Sequence, residues 1–442
     1  MMTLKKNRLI NTTLLFSCFL SGSVVAQIEY FAGVNEQYNS NIAKSTISQS
    51  GLENSVLIGA SGQKTQNKLD FGVNGTLSHV ERNGGVIQTT SDNLVNGSSY
   101  LNVAIIPERF SWLSSLNAST VQTNLGTPSN ADNLSNIISF TTQPQYRWRL
   151  NTLNTVVIKS LYGHADYDSA QPNVDWISTE AALEHIIENG LLSIAYADEK
   201  RDFDANIPGI AKRDTYVTAN KHWRRLALNA EYGLVSLERK GSATSYDSTR
   251  YKFSSTVISP RNSSLSLSTE RNYTDTLSEM AQSSARFQNN LLNPQNSSDL
   301  FSQQAYLNGY FSDLMKTDTY SLTYNKLFTS HSFQVNYQHL NRQAINTISL
   351  LGDSKESVWG LGLTRLLNQQ SNIAFDYNNR STEFNVGLTQ DVELTSLSYN
   401  RKLSRHFDFM TRVSHEQGEF GLSNISYDDN SILLSLRYVG IL

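Results

Sequence analysis

Leu226-Ala-Leu-Asn-Ala-Glu-Tyr-Gly-Leu234 places apolar or aromatic side chains at 226, 228, 230, 232 and 234, with Asn229, Glu231 and Gly233 among the positions between. Successive side chains of a strand point to opposite faces, so the stretch encodes one oily face and one wet face. The period returns in Leu69, Phe71, Val73 and Leu77 against Asp70, Asn74 and Thr76. It returns again in Tyr251, Phe253 and Val257 against Lys252, Ser254 and Thr256, and in Ile373, Phe375 and Tyr377 against Asn372, Asp376 and Asn378. A soluble half-buried sheet could produce any one of these stretches; their number along one chain points to a membrane barrel.

The connections between such stretches alternate in length. Tight turns are predicted near 63–67, 107–109, 149–151, 188–190, 224–225, 260–262, 329–331, 368–371 and 403–406. Loops rich in Asn, Ser, Asp and Gly are predicted near 39–50, 82–92, 123–136, 164–174, 200–212, 239–248, 276–316, 343–355, 381–391 and 417–428. Outer-membrane barrels have short periplasmic turns and longer extracellular loops. The pattern therefore predicts an all-β, antiparallel up-and-down barrel of about 20 strands, with 18 as the alternative and both termini periplasmic. Pro144 falls inside a predicted strand, where a missing donor calls for a bulge or an early strand end. The other prolines, at 107, 128, 172, 208, 260 and 294, fall in predicted turns or loops.

Residues 1–26 read as a secretory signal: Lys5, Lys6 and Arg8, then an apolar stretch from Leu14 to Leu20, then Val24 and Ala26 before the cleavage point. The only cysteine, Cys18, lies inside it, so cleavage would leave 442 − 26 = 416 residues without a thiol for a disulfide, a metal site or a nucleophile. Three basic residues leave with the signal, and 33 basic against 39 acidic side chains remain. No basic run occurs, which argues against nucleic acid as a partner. No apolar stretch after Gln27 is long enough for a membrane helix.

The stretch Ser431-Ile-Leu-Leu-Ser-Leu-Arg-Tyr-Val-Gly-Ile-Leu442 alternates as well, with Ile432, Leu434, Leu436, Tyr438 and Gly440 on one face and Ser435 and Arg437 on the other. It is similar to the signal that outer-membrane barrels present to their assembly machinery, with an aromatic at Tyr438 and an apolar last residue, Leu442, in the place where most such proteins have Phe. The expected partners are outer-membrane lipid and that machinery. Trp112, Trp148, Trp223 and Tyr146 lie close to predicted short turns and are assigned to the periplasmic aromatic girdle.

The wet faces predict a lumen lined by Lys68, Asp70, Arg147, Glu180, Glu184, Glu231, Arg250, Lys252, Glu270, Asp376, Arg412 and Arg437, with many Ser, Asn and Thr. The signs are mixed, unlike a ring built to select a simple ion. Barrels of 16 to 18 strands already leave an aqueous channel, so twenty would enclose a wide one unless loops fill it. The longest predicted loop carries Phe301, Tyr306, Tyr310 and Phe311 and is the candidate plug.

Catalytic patterns are missing. The histidines at 79, 164, 185, 222, 331, 339, 406 and 415 are scattered, with no His-Glu-x-x-His, and no Gly-x-Ser-x-Gly is present. Asp166-Tyr-Asp168-Ser-Ala-Gln lacks the third Asx and the glycine of a calcium loop. Neither an enzyme nor a cofactor is expected.

Pro107-Glu-Arg-Phe-Ser-Trp112, Ser259-Pro-Arg-Asn-Ser-Ser264, Leu397-Ser-Tyr-Asn-Arg-Lys-Leu-Ser-Arg405 and Tyr427-Asp-Asp-Asn430 resemble stretches of the outer-membrane β-barrel proteins associated with exopolysaccharide and PEP-CTERM systems. The resemblance spans most of the chain through turn and strand patterns and includes no catalytic signature. It implies a role in exporting or anchoring an extracellular polysaccharide beside periplasmic export components. Two expectations follow: a wide polar export channel, or an adhesive barrel with a closed lumen whose loops bind the matrix. A general diffusion porin is a third, with no feature favouring it over the first.

Overall fold

The computed structural model describes residues 28–441 apart from 66–67, 85–86, 123–133, 169–171, 205–207, 242–244, 276–313, 346–352, 386, 388 and 422. The expected signal segment with Cys18, the terminal Leu442, and the plug candidates Phe301, Tyr306, Tyr310 and Phe311 lie outside the described residues. The first ten strands are β1 (Ile28–Asn39), β2 (Gly51–Thr65), β3 (Leu69–Gly84), β4 (Ile87–Ile106), β5 (Phe110–Gln122), β6 (Leu134–Arg149), β7 (Asn154–Tyr167), β8 (Val174–Ile187), β9 (Gly190–Phe203) and β10 (Ile210–His222). The rest are β11 (Leu226–Arg239), β12 (Ser245–Ser259), β13 (Ser263–Asp275), β14 (Leu314–Leu327), β15 (His331–Ala344), β16 (Ser354–Asn368), β17 (Ser371–Phe384), β18 (Thr389–Lys402), β19 (Phe407–Phe420) and β20 (Ile425–Ile441).

Each strand pairs antiparallel with its neighbours in sequence, and β20 returns to β1 from Ser431 opposite Asn39 to Ile441 opposite Glu29. The sheet is thus a closed barrel of twenty strands, the count expected from the turn pattern rather than the alternative of 18. Closure matters because an open edge in hydrocarbon would leave backbone groups without partners.

The two faces separate as the alternation requires. Val34, Ile58, Ile138, Ile177, Ile194, Leu234, Val257, Leu267, Trp359, Leu397, Val413 and Leu434 are all exposed and share one parity along the ladder. The opposite parity carries buried side chains such as Ser119, Ile137, Val235, Glu356, Asn378 and Ser396, because side chains on a concave surface crowd one another. Leu228 and Phe375 belong to the outer set. Trp112, Trp148, Trp223 and Tyr146 are exposed beside the short turns at one end, the position of a girdle. A closed antiparallel barrel with an apolar band and flanking aromatics is built for the outer membrane of a Gram-negative bacterium, and that is where this protein resides.

Local chemistry sets details. A Cβ on Gly163 would overlap the indole of Trp176, its direct partner across β7 and β8, so only glycine leaves room for that ring. Pro144 behaves differently from expectation. The β6–β7 ladder pairs Thr142 with Tyr162 and Gln145 with Lys159, omitting the two positions between without changing register. Neither a bulge nor an early end results; β6 simply turns its missing donor toward β7 and continues.

Most loops are shorter than the sequence suggested. β3 and β4 run to Gly84 and from Ile87, through the loop expected at 82–92, and β17 and β18 likewise narrow the one expected at 381–391. The ladder continues above the membrane through polar residues, so the loss of apolar alternation marks the edge of the lipid and not the end of the strand. Long connections remain at 40–50, 123–133 and 276–313.

Candidate functional site

The inner wall is the candidate site, and its chemistry falls into sectors. On β7 to β12 it is dense in charge. Lys159 Nζ lies 2.9 Å from Glu180 Oε1, Arg201 Nε 2.5 Å from Glu199 Oε1, and Lys212 Nζ 3.4 Å from Asp214 Oδ2. Arg250 joins two strands: Nη1 is 2.5 Å from Asp214 Oδ2, Nη2 bonds Glu231, and the guanidinium carbon stands 4.6 Å from the centroid of the Tyr216 ring. The cations and carboxylates of this sector largely neutralise one another.

On β4 to β6 and β13 to β15 the inward side chains are mainly hydroxyls and amides. Ser115 and Thr141 are 2.6 Å apart, Ser268 and Ser321 2.6 Å, and Thr256 and Ser266 3.0 Å. Such pairs satisfy one another across adjacent strands and still leave lone pairs and protons facing inward.

Of the residues expected to line the lumen, Asp70, Glu180, Glu231, Arg250, Lys252, Glu270, Asp376, Arg412 and Arg437 lie on the inward parity of their strands, as do Arg147 and Glu184. Several meet: Arg147 with Glu184 at 2.5 Å, Lys252 with Glu270 at 3.2 Å, and Arg437 with Asp408 at 2.9 Å. Tyr100 donates to Asp70 at 3.2 Å, and Asp376 is the counter-charge of Arg412 across β18. Lys68 is not brought to the wall: it sits exposed in the turn before β3. Ile432, Leu434, Leu436 and Tyr438 share the outer face of β20, as the assembly signal requires.

A buried ionic triad is absent from the residues expected at the wall. Glu356 is fully buried, with Arg342 Nη1 3.2 Å from Oε2 and Arg380 Nε 3.6 Å from Oε1. All three sit at the extracellular ends of β15, β16 and β17, beside the loops expected at 343–355 and 381–391. Extending the alternation two residues into those loops would have placed them inward. Among the described residues no group of three or more His, Cys, Asp or Glu could hold a metal ion.

No family model matches the chain, and no curated protein does. Solved structures of similar shape include a mutant form of the ferric enterobactin receptor of Pseudomonas aeruginosa, at 9% identity and TM-score 0.48, covering 94% of this chain and 81% of that one. A BenF-like porin from Pseudomonas fluorescens Pf-5 is 11% identical with TM-score 0.40, covering 95% and 99%. OccK2 of Pseudomonas aeruginosa is 11% identical with TM-score 0.37, covering 94% and 98%. The likeness at this level concerns the barrel alone.

Proposed function

We propose that this protein is an outer-membrane channel for hydrated carbohydrate, serving export of an extracellular polysaccharide alongside periplasmic export components. The observation that supports this reading is the division of the inner wall. Hydroxyl and amide sectors on β4–β6 and β13–β15 offer a sugar chain many weak, exchangeable hydrogen bonds, such as those of Ser115, Thr141, Ser268 and Ser321. The charged sector consumes its own charge in pairs such as Arg250 with Asp214 and Lys159 with Glu180, so it holds no mobile ion strongly.

The second reading, an adhesive barrel with a closed lumen, draws on one observation: the segment after β1 folds onto the inner wall, with Lys44 on Glu416. Single-channel conductance of the refolded protein in planar bilayers separates the two, measured with and without residues 280–312 and with neutral dextran oligomers added on either side. Large steps that dextran blocks reversibly support the export channel. Silence that persists after the deletion overturns it in favour of the adhesive barrel, and conductance blocked by small ions but indifferent to dextran overturns the carbohydrate assignment.

A further inference from the structure

The barrel wall has a break that the ladder makes plain. β12 and β13 pair only from Ser259 opposite Ser263 up to Tyr251 opposite Arg271. Above that level Ser245–Arg250 pair with β11 alone, and Asn272–Asp275 pair with β14 alone. The β4–β5 ladder also stops early, at Gly97 opposite Ala118, but there the two edges stay in the wall and are stitched: Val95 N donates to Thr120 Oγ1 at 3.1 Å. At β12–β13 the edges part.

Where the upper end of β13 goes is fixed by side-chain parity. Tyr273 shares the outer parity of the exposed Leu265 and Leu267, and Leu314 that of the exposed Tyr320, yet Tyr273 is 1% exposed and Leu314 7%. Both pack in one cluster with Val235 and Leu237, which face inward from β11, and with the inward Tyr246 of β12. The Tyr273 hydroxyl bonds Ser248 Oγ at 2.5 Å and donates to the Thr249 carbonyl at 3.2 Å. The outer face of the β13–β14 tip therefore lies against the inner face of β11 and β12. Tip and wall overlap as two leaves, and Tyr273 fastens them.

Two further features give the overlap a chemistry. Leu234, 63% exposed on the outer face, sits opposite Thr249, so the break begins at the margin of the apolar band. On its inner side lies the apolar cluster, an exception in a polar wall, and directly below it stand Arg250, Asp214 and Lys212. An apolar path from lipid to lumen ending on paired charges matches a molecule with one hydrocarbon chain and a charged head.

We propose that the β12–β13 overlap is a lateral gate, latched by Tyr273, through which a single-chain amphiphile passes between the lumen and the outer leaflet. The gate is independent of the carbohydrate reading, whose failure would show in conductance and leave the gate standing.

The test uses the full-length protein in phosphatidylethanolamine/phosphatidylglycerol vesicles containing a lysophosphatidylethanolamine with a photoactivatable diazirine in its chain. Adducts are mapped by mass spectrometry in three forms: the unaltered protein, Tyr273→Phe, and Ser248→Cys/Tyr273→Cys bridged by a short bismaleimide. Each must first show a heat-modifiable fold. The expected result is labelling of the inward Val235 and Leu237, raised about five-fold in Tyr273→Phe, the shift that loss of one ordinary hydrogen bond produces, and abolished by the bridge. Adducts confined to outward residues such as Leu234, Phe253 and Leu267 in all three forms overturn the gate. Inward labelling that the bridge leaves unchanged also overturns it, since the probe would then be entering through the mouth.

Discussion

Lys44 Nζ lies 2.7 Å from Glu416 Oε1 and 2.8 Å from Oε2, joining the first extracellular segment to the inner wall of β19. The same carboxylate accepts the Tyr427 hydroxyl at 2.6 Å, and Asn41 N donates to Asp429 Oδ1 at 2.8 Å. Residues 40–50 are thus held over the mouth by residues near the other end of the chain. Charge-assisted hydrogen bonds of this kind contribute about 1.5–3 kcal/mol. Lys44→Met should release the segment without unfolding the barrel. Limited proteolysis of folded protein should cut within 40–50 many times faster, and any channel current should flicker more. Equal protease resistance in the two proteins would show that the ion pair does not hold the segment.

Glu356 makes a different prediction, because it is fully buried between Arg342 and Arg380. Glu356→Gln removes the one carboxylate that the two guanidiniums share, and removing one member of a buried ionic set typically costs about 3–5 kcal/mol. Denaturant unfolding from lipid vesicles should report a loss of that size, with the barrel still closing at low denaturant. A change under about 1 kcal/mol, the range of an exposed pair, would mean that water reaches the triad freely.

The outer face is tested by charge. Leu228→Arg and Phe375→Arg place a guanidinium on the lipid side and should each cost about 2–4 kcal/mol if they lie near the midplane. Ser266→Arg, on the inner face beside Thr256, should cost far less. Folding free energies in the same lipid measure all three, and equal costs for inner and outer positions would contradict the assigned faces.

The faces were legible in the sequence because a strand writes its two environments in alternate letters, and Leu226 to Leu234 already does so. Strand number followed from turns marked by Pro107, Asn189 and Pro260, where local chemistry decides the fold. Strand length did not follow: Arg342, Glu356 and Arg380 continue the ladder above the membrane, where no apolar partner on the outer face signals it. The inward tip was illegible for a stronger reason. Tyr273 and Leu314 carry the parity of lipid-facing residues, and only the parting of β13 from β12, a matter of pairing between strands, turns that face against the lumen.

Closure of the barrel rests on the last strand, and its end can be tested apart from its middle. Ala32 opposite Tyr438, Phe31 opposite Val439, Tyr30 opposite Gly440 and Glu29 opposite Ile441 form the periplasmic end of the β1–β20 seam. Aromatic rings reinforce it: Tyr438 stands 6.2 Å from Tyr30 and 5.4 Å from Phe407, centroid to centroid. Deleting residues 438–442 removes these backbone partners and the rings together, leaving unpaired edges at the level of the aromatic girdle, where lipid offers no replacement. The truncated protein should yield no heat-modifiable species on gels and should accumulate in the periplasm. Tyr438→Ala keeps every backbone hydrogen bond and loses only ring contacts, so it should fold in reduced yield. Normal insertion of the truncated chain would show that the seam closes without its final residues, and would remove Tyr438 from the assembly signal.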